Sequence, residues 1–206
     1  MYIPESIRSR DDYKACVKFH GHTCMGLTIG YLAATLALSL LAEARAEDEE
    51  VIAVVENDAC CCDAIQVLTG CTFGKGNFFH LDYGKMAFTF GSRSTKRGVR
   101  LLLRNDIFHI PEREKYLAEK ISSNISSDSE LKEYEQLYEA RGEDLFSRGA
   151  ESFFDVEQIA NLELPKKAVI AQSVACADCG EMVMKTKLLE KNRRTVCRSC
   201  ATHLDN

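Results

Sequence analysis

"MGLTIGYLAATLALSLLA", Met25–Ala42, runs for 18 residues without a charge. A helix needs roughly 20 apolar residues to cross a bilayer, so the run lies at the lower edge of that range. It contains Gly26, Thr28, Gly30, Thr35 and Ser39, and no basic cluster flanks one side. These features point to a helix over about residues 26–46, buried on nearly all sides in a core or at a subunit interface. Gly26 and Gly30 are one turn apart and carry no side chain, so another backbone can approach there. No membrane partner is expected.

The neighbouring segments build outward from this helix. Residues 9–19 read as a short amphipathic helix with Asp11 and Asp12 in its first turn. "HGHTC", His20–Cys24, reads as an extended linker. "VIAVVEN", Val51–Asn57, is a β-branched run of buried-strand type. "DAIQVLTG", Asp63–Gly70, reads as a helix closed by glycine. Residues 86–90 and 98–104 read as two strands joined by the polar turn SRSTKR. Residues 112–120 and 130–141 read as surface helices around a Ser-rich hinge. Strands interleaved with helices predict an α+β fold with a mixed α/β core.

The whole chain has 206 residues, 46% hydrophobic and 28% charged, with a net charge of −5. These values suit a globular core and do not describe a nucleic-acid binder. The charge is uneven. Residues 166–206 carry eight Lys/Arg against four Asp/Glu, so the C-terminal piece is basic on an acidic protein. Two domains are expected, 1–165 with a helical extension and 166–206. Packing of the basic piece on the acidic body is preferred to nucleic-acid binding.

Ten cysteines demand an explanation. The N-terminus shows no basic stretch leading into an apolar stretch and a cleavage site, so a reducing, cytoplasmic setting is expected. There, cysteines serve more often as metal ligands or catalytic thiols than as disulfides. Cys176-x2-Cys179 and Cys197-x2-Cys200, with 17 residues between the pairs, fall in the spacing window of a zinc ribbon or treble clef. Four thiolates fill a tetrahedron, which makes this a structural Zn²⁺ site. A positive φ is expected at Gly180, after the first knuckle. So small a piece needs such a staple to fold.

His20, His22 and Cys24 form a second constellation. In an extended chain, alternate residues point the same way. Two imidazoles and a thiol would then face one side, a donor set suited to zinc, nickel, copper or iron. Cys24 precedes the apolar helix, whose dipole favours a thiolate there, for ligation or for nucleophilic attack. The cluster Cys60-Cys61-Cys62 follows the buried strand, with Glu56 and Asp63 as nearby carboxylates. The Gly-rich stretch from Thr72 to Asn77, with Lys75, offers backbone N–H groups and an ammonium to an anion; the alternative is a tight structural turn.

The strings "FHGHTCMGLTIGY" and "CCDAIQVLTGCTFGKGNFFHLDYGKMAFTF" resemble the FmdE family, which takes its name from formylmethanofuran dehydrogenase. The resemblance covers roughly residues 10–105 and rests on F-H-G-H-x-C-P-G, C-x-x-D-A-I-Q-x-x-T-G-C-T-x-G-K-G-N and D-x-G-K-x-A-F. Met25 stands where the family usually has proline. Through this resemblance His20, His22 and Cys24 match the family's H-x-H-x-C site, Cys60 and Asp63 its C-x-x-D, and Cys71 its T-G-C-T cysteine. Cys61 and Cys62 match nothing in it. The resemblance implies a homodimer, a core metal site in a cleft with Cys60 as a further ligand, and formylmethanofuran dehydrogenase subunits as possible partners. The chain has no ferredoxin-type cysteine spacing, so it is not expected to be the oxidoreductase itself. Whether the core site only binds or also catalyses is left open.

Overall fold

The computed structural model describes residues 2–191 and 193–203. The chain divides into two compact units, Met1–Lys167 and Ala168–Asn206. The last three residues of the expected C-terminal domain lie outside the described residues.

The first unit opens with three helices, α1 (Glu5–Arg8), α2 (Asp11–His20) and α3 (Met25–Leu41). There follow β1 (Val51–Val55), α4 (Cys61–Thr69), β2 (Phe78–His80), β3 (Ala87–Ser92) and β4 (Gly98–Leu103). Two helices, α5 (Glu112–Ser122) and α6 (Asp128–Ser147), lead to the last strand, β5 (Phe154–Ile159). The strands form one sheet in the order β2-β1-β3-β4-β5. β1 and β2 are parallel, with Ala53 opposite Phe78; the other pairs are antiparallel. The architecture is thus the mixed α+β arrangement expected.

The apolar run does form the central helix. Eleven residues of α3 are buried, among them Leu27, Ile29, Ala33 and Ala37. The close approach anticipated at its glycines is made by α4. A side chain at Gly30 would place its Cβ 2.2 Å from the Cys61 carbonyl oxygen. Only a hydrogen fits there, so the start of α4 rests directly on α3. Among the described residues, no helix is long and apolar enough to cross a membrane.

α3 ends earlier than expected. Ala42 takes a left-handed conformation (φ 54°), and its N–H caps the Leu38 and Ser39 carbonyls. The following loop is held from elsewhere. Lys75 Nζ donates to the Ala46 and Glu47 carbonyls, each at 3.2 Å, and Asn77 Nδ2 donates to those of Asp48 and Val51. The Gly-rich stretch is therefore a structural tie: of the two readings, the tight turn describes it.

The second unit is built from two short ribbons and a helix. β6 (Ser173–Ala175) pairs with β7 (Met182–Met184), and β8 (Leu189–Lys191) with β9 (Arg194–Val196). α7 (Arg198–His203) follows. Its buried apolar cluster consists of Cys176, Val196, Cys197 and Ala201.

Candidate metal centres

The HGHTC stretch is not extended. α2 continues through His20, because Gly21 adopts the left-handed conformation (φ 98°) that closes a helix, its N–H bonded to the Val17 carbonyl. Cys24 is the N-cap of α3, and its Sγ accepts from the Leu27 N–H at 3.3 Å. A helix end, a tight turn and a helix start thus bring the three side chains together. Their donor atoms lie within 4.8 Å of one another. The grouping expected from the sequence is present, produced by a turn rather than by strand alternation.

His20 is held in one orientation. Its Nδ1 donates to Asp63 Oδ2 at 2.7 Å. With that nitrogen protonated, Nε2 keeps its lone pair, and it lies 3.8 Å from Cys24 Sγ. Zinc bonds of about 2.0–2.1 Å to nitrogen and 2.3 Å to sulfur, at the tetrahedral angle, place N and S about 3.6 Å apart. The spacing fits one shared ion. Asp63 serves as the outer partner of a ligating histidine, an arrangement that fixes the ring and its tautomer. The His20 and His22 rings are 4.4 Å apart between centroids, and His22 is exposed.

Cys60 stands beside this group without completing it. A Cβ at Gly26 would lie 3.1 Å from the Cys60 Cβ and 4.0 Å from Cys24 Sγ, so the first glycine of α3 makes room for Cys60 as well. Burial and a hydrogen bond shared with Cys24 push the Cys60 thiol up. Yet the set whose donor atoms all lie within 4.8 Å comprises only His20, His22 and Cys24.

The other candidates have different partners. Glu56 is buried and accepts from Arg100 Nη2 at 2.8 Å, so its charge is already paired. Cys61 is fully buried and donates to Asn57 Oδ1 at 3.1 Å; its hydrogen bond with Cys62 and burial push its thiol well up. Cys62 donates to the Asn57 carbonyl. Cys71 is buried, donates to the Val51 carbonyl at 3.3 Å, and is pushed up to about 11 by burial. Two residues that sequence reasoning missed brace Cys24. The Thr28 hydroxyl donates to the Cys24 carbonyl at 3.0 Å and is 2.7 Å from the hydroxyl of buried Tyr13. Thr28 lies one turn beyond Cys24, which was the available signal.

In the second unit, Cys176, Cys179, Cys197 and Cys200 have Sγ atoms within 4.8 Å of one another. Cys179 and Cys197 are 4.0 Å apart, against about 3.8 Å for two thiolates on one tetrahedral zinc ion. Backbone N–H groups converge on this cluster. That of Cys197 donates to Cys176 Sγ at 3.2 Å, and that of Cys200 to Cys197 Sγ at 3.4 Å. Such bonds, with the Cys179 N–H foremost, pull the Cys176 thiol down to about 6. Gly180 has the positive φ expected after the first knuckle, 76°.

Residues 19–155 match the family described as FmdE, molybdenum formylmethanofuran dehydrogenase operon. The chain belongs to this FmdE family. Residues 170–203 match the prokaryotic dksA/traR C4-type zinc finger, so the FmdE domain is followed by a zinc-finger domain. A probable S-adenosyl-L-methionine-binding protein of Archaeoglobus fulgidus is 27% identical over 191 residues. That match covers 89% of this chain and 50% of the other, so the chain spans about half the length of that relative. The crystal structure of an FmdE-like protein of tungsten formylmethanofuran dehydrogenase type, from Syntrophus aciditrophicus, shares the fold. Its TM-score is 0.61 at 24% identity, over 98% of each chain. The FmdE and zinc-finger domains, with the four-cysteine cluster, mark a metal-binding protein.

Proposed function

We propose that this FmdE-family protein holds two metal ions with different tasks. Zn²⁺ on Cys176, Cys179, Cys197 and Cys200 folds the C-terminal unit. A second transition-metal ion on His20, His22 and Cys24 presents an open position to a small ligand, with Cys60 as a reserve thiol beside it. The observation that carries this reading is His20: Asp63 fixes its Nδ1, so Nε2 is left as a donor facing Cys24 Sγ. Three protein donors and an exposed His22 suit a metal that still accepts a ligand, whereas four thiolates suit a closed structural site.

A ligand-binding role agrees with the description of the Archaeoglobus fulgidus relative, which names a small molecule. The family description makes formylmethanofuran dehydrogenase subunits the first partners to test. A cytoplasmic homodimer is the form proposed. The three-donor site also favours a second reading, an enzyme in which the open position activates water or polarises a carbonyl.

Elemental analysis of protein purified without added metal tests the two-site reading. About two metal ions per chain are expected, one for each site. Replacing His22 and Cys24 together should leave one. An unchanged metal count in that variant rejects the core site.

A further inference from the structure

The space between α2 and α4 is wider than the His20–Asp63 contact that closes one end of it. Asp12, Ala15 and Phe19 from α2 and Val67 and Leu68 from α4 line an apolar groove of about 550 Å³, with Arg45 on its rim. The two helices run antiparallel, since the end of α2 meets the start of α4 through His20 and Asp63. Phe19 immediately precedes His20, and Gln66, also lining the groove, lies one turn after Asp63. The groove therefore begins at the core site and runs along α4 towards Leu68 and Thr72.

Its charged groups differ in availability. The Asp12 carboxylate is matched by Arg10, at 2.9 and 3.1 Å, and by the Tyr31 hydroxyl. Arg45 is exposed, and only its Nε is engaged, donating to the Val67 carbonyl at 2.9 Å. Its two Nη groups have no partner among the described residues. A guanidinium with one edge free is a ready seat for a carboxylate. Phe19 is 60% exposed and supplies an unpaired aromatic face at the other end.

We infer that this groove binds a small amphipathic monoanion, a flat apolar body with one carboxylate, whose carboxylate pairs with Arg45 and whose body lies along Phe19, Val67 and Leu68. The far end then arrives at His20 and the core metal, and only that clause rests on the function proposed above. An apolar body is expected because water leaves the groove walls on binding, while the open edge of Arg45 fixes direction.

Titration calorimetry of the full-length chain with biphenyl-4-carboxylate and its carboxamide tests this. One acid is expected to bind per chain, with the amide at least about tenfold weaker, in keeping with a charge-assisted bond. Arg45→Met should erase that preference while Arg45→Lys keeps part of it. Phe19→Ser should weaken acid and amide equally. Equal binding of acid and amide, or binding of neither, overturns the proposal. So does sedimentation showing that Phe19→Ser splits a dimer, since a second copy would then occupy the groove. Metal content of the same samples separates the two ideas: an unchanged metal count in the His22/Cys24 variant removes the core metal without bearing on acid binding.

Discussion

The two clusters of metal-type side chains sit on opposite kinds of foundation. The four cysteines belong to a unit whose buried apolar cluster is Cys176, Val196, Cys197 and Ala201, so two of the candidate ligands are themselves half of the core. His20, His22 and Cys24 sit on helix ends of a unit with a large core that contains α3, the inner strands and Phe153. In the first case the ion replaces a core; in the second the core exists without it. Metal removal should therefore have unequal consequences.

The largest expected effect is at the C-terminus. Cys179→Ser, or chelation, should abolish the ordered structure of residues 168–203 while leaving the first unit folded. Structural zinc contributes about 10–16 kcal/mol of apparent binding energy in zinc-finger peptides. Amide NMR dispersion reads this directly, and a C-terminal unit that keeps its dispersion without metal would break the contrast. Next comes Gly30→Ala. The added Cβ meets backbone, which cannot swing aside, so a loss of about 3 kcal/mol or more is expected. Thermal denaturation of the first unit should show it, with the metal count unchanged.

Asp63→Asn should leave the fold intact and weaken the core metal about 10–100-fold, because His20 loses its fixed tautomer. Competition with a chromophoric chelator measures this, and unchanged affinity would strip Asp63 of its orienting role. The smallest effect is in thiol reactivity. Burial pushes Cys16 and Cys71 up to about 11, so at pH 8 both are protonated and shielded. In metal-free protein, iodoacetamide should modify exposed Cys179 well before either, and their rates should rise as pH approaches 11. Peptide mapping by mass spectrometry resolves the order.

Much of this was legible because the signals were local. The uncharged run and its two glycines specified a buried helix with a close neighbour, and α4 is that neighbour. The C-x2-C pairs carry their geometry in their spacing. What was not legible depended on distant partners or on a single φ. Gly21 turned an expected extended linker into a helix end, which changed how His20 and Cys24 meet. Lys75 looked available until its ammonium met carbonyls 28 and 29 residues away in sequence. β2 is only three residues long, and β5 exposes most of its side chains, so neither shows the apolar pattern of a strand. Cys61 lies inside and Cys60 beside the site because α4 rotates adjacent residues onto different faces, a phase that three identical residues do not reveal.

The contrast between the two clusters is tested most directly by X-ray absorption at the zinc edge on Cys179→Ser protein loaded with Zn²⁺. With the C-terminal site disabled, the remaining ion should show two nitrogens at about 2.0–2.1 Å and one sulfur at about 2.3 Å, with a further light ligand. A shell of four sulfurs, or no retained zinc, would contradict a core site made by His20, His22 and Cys24.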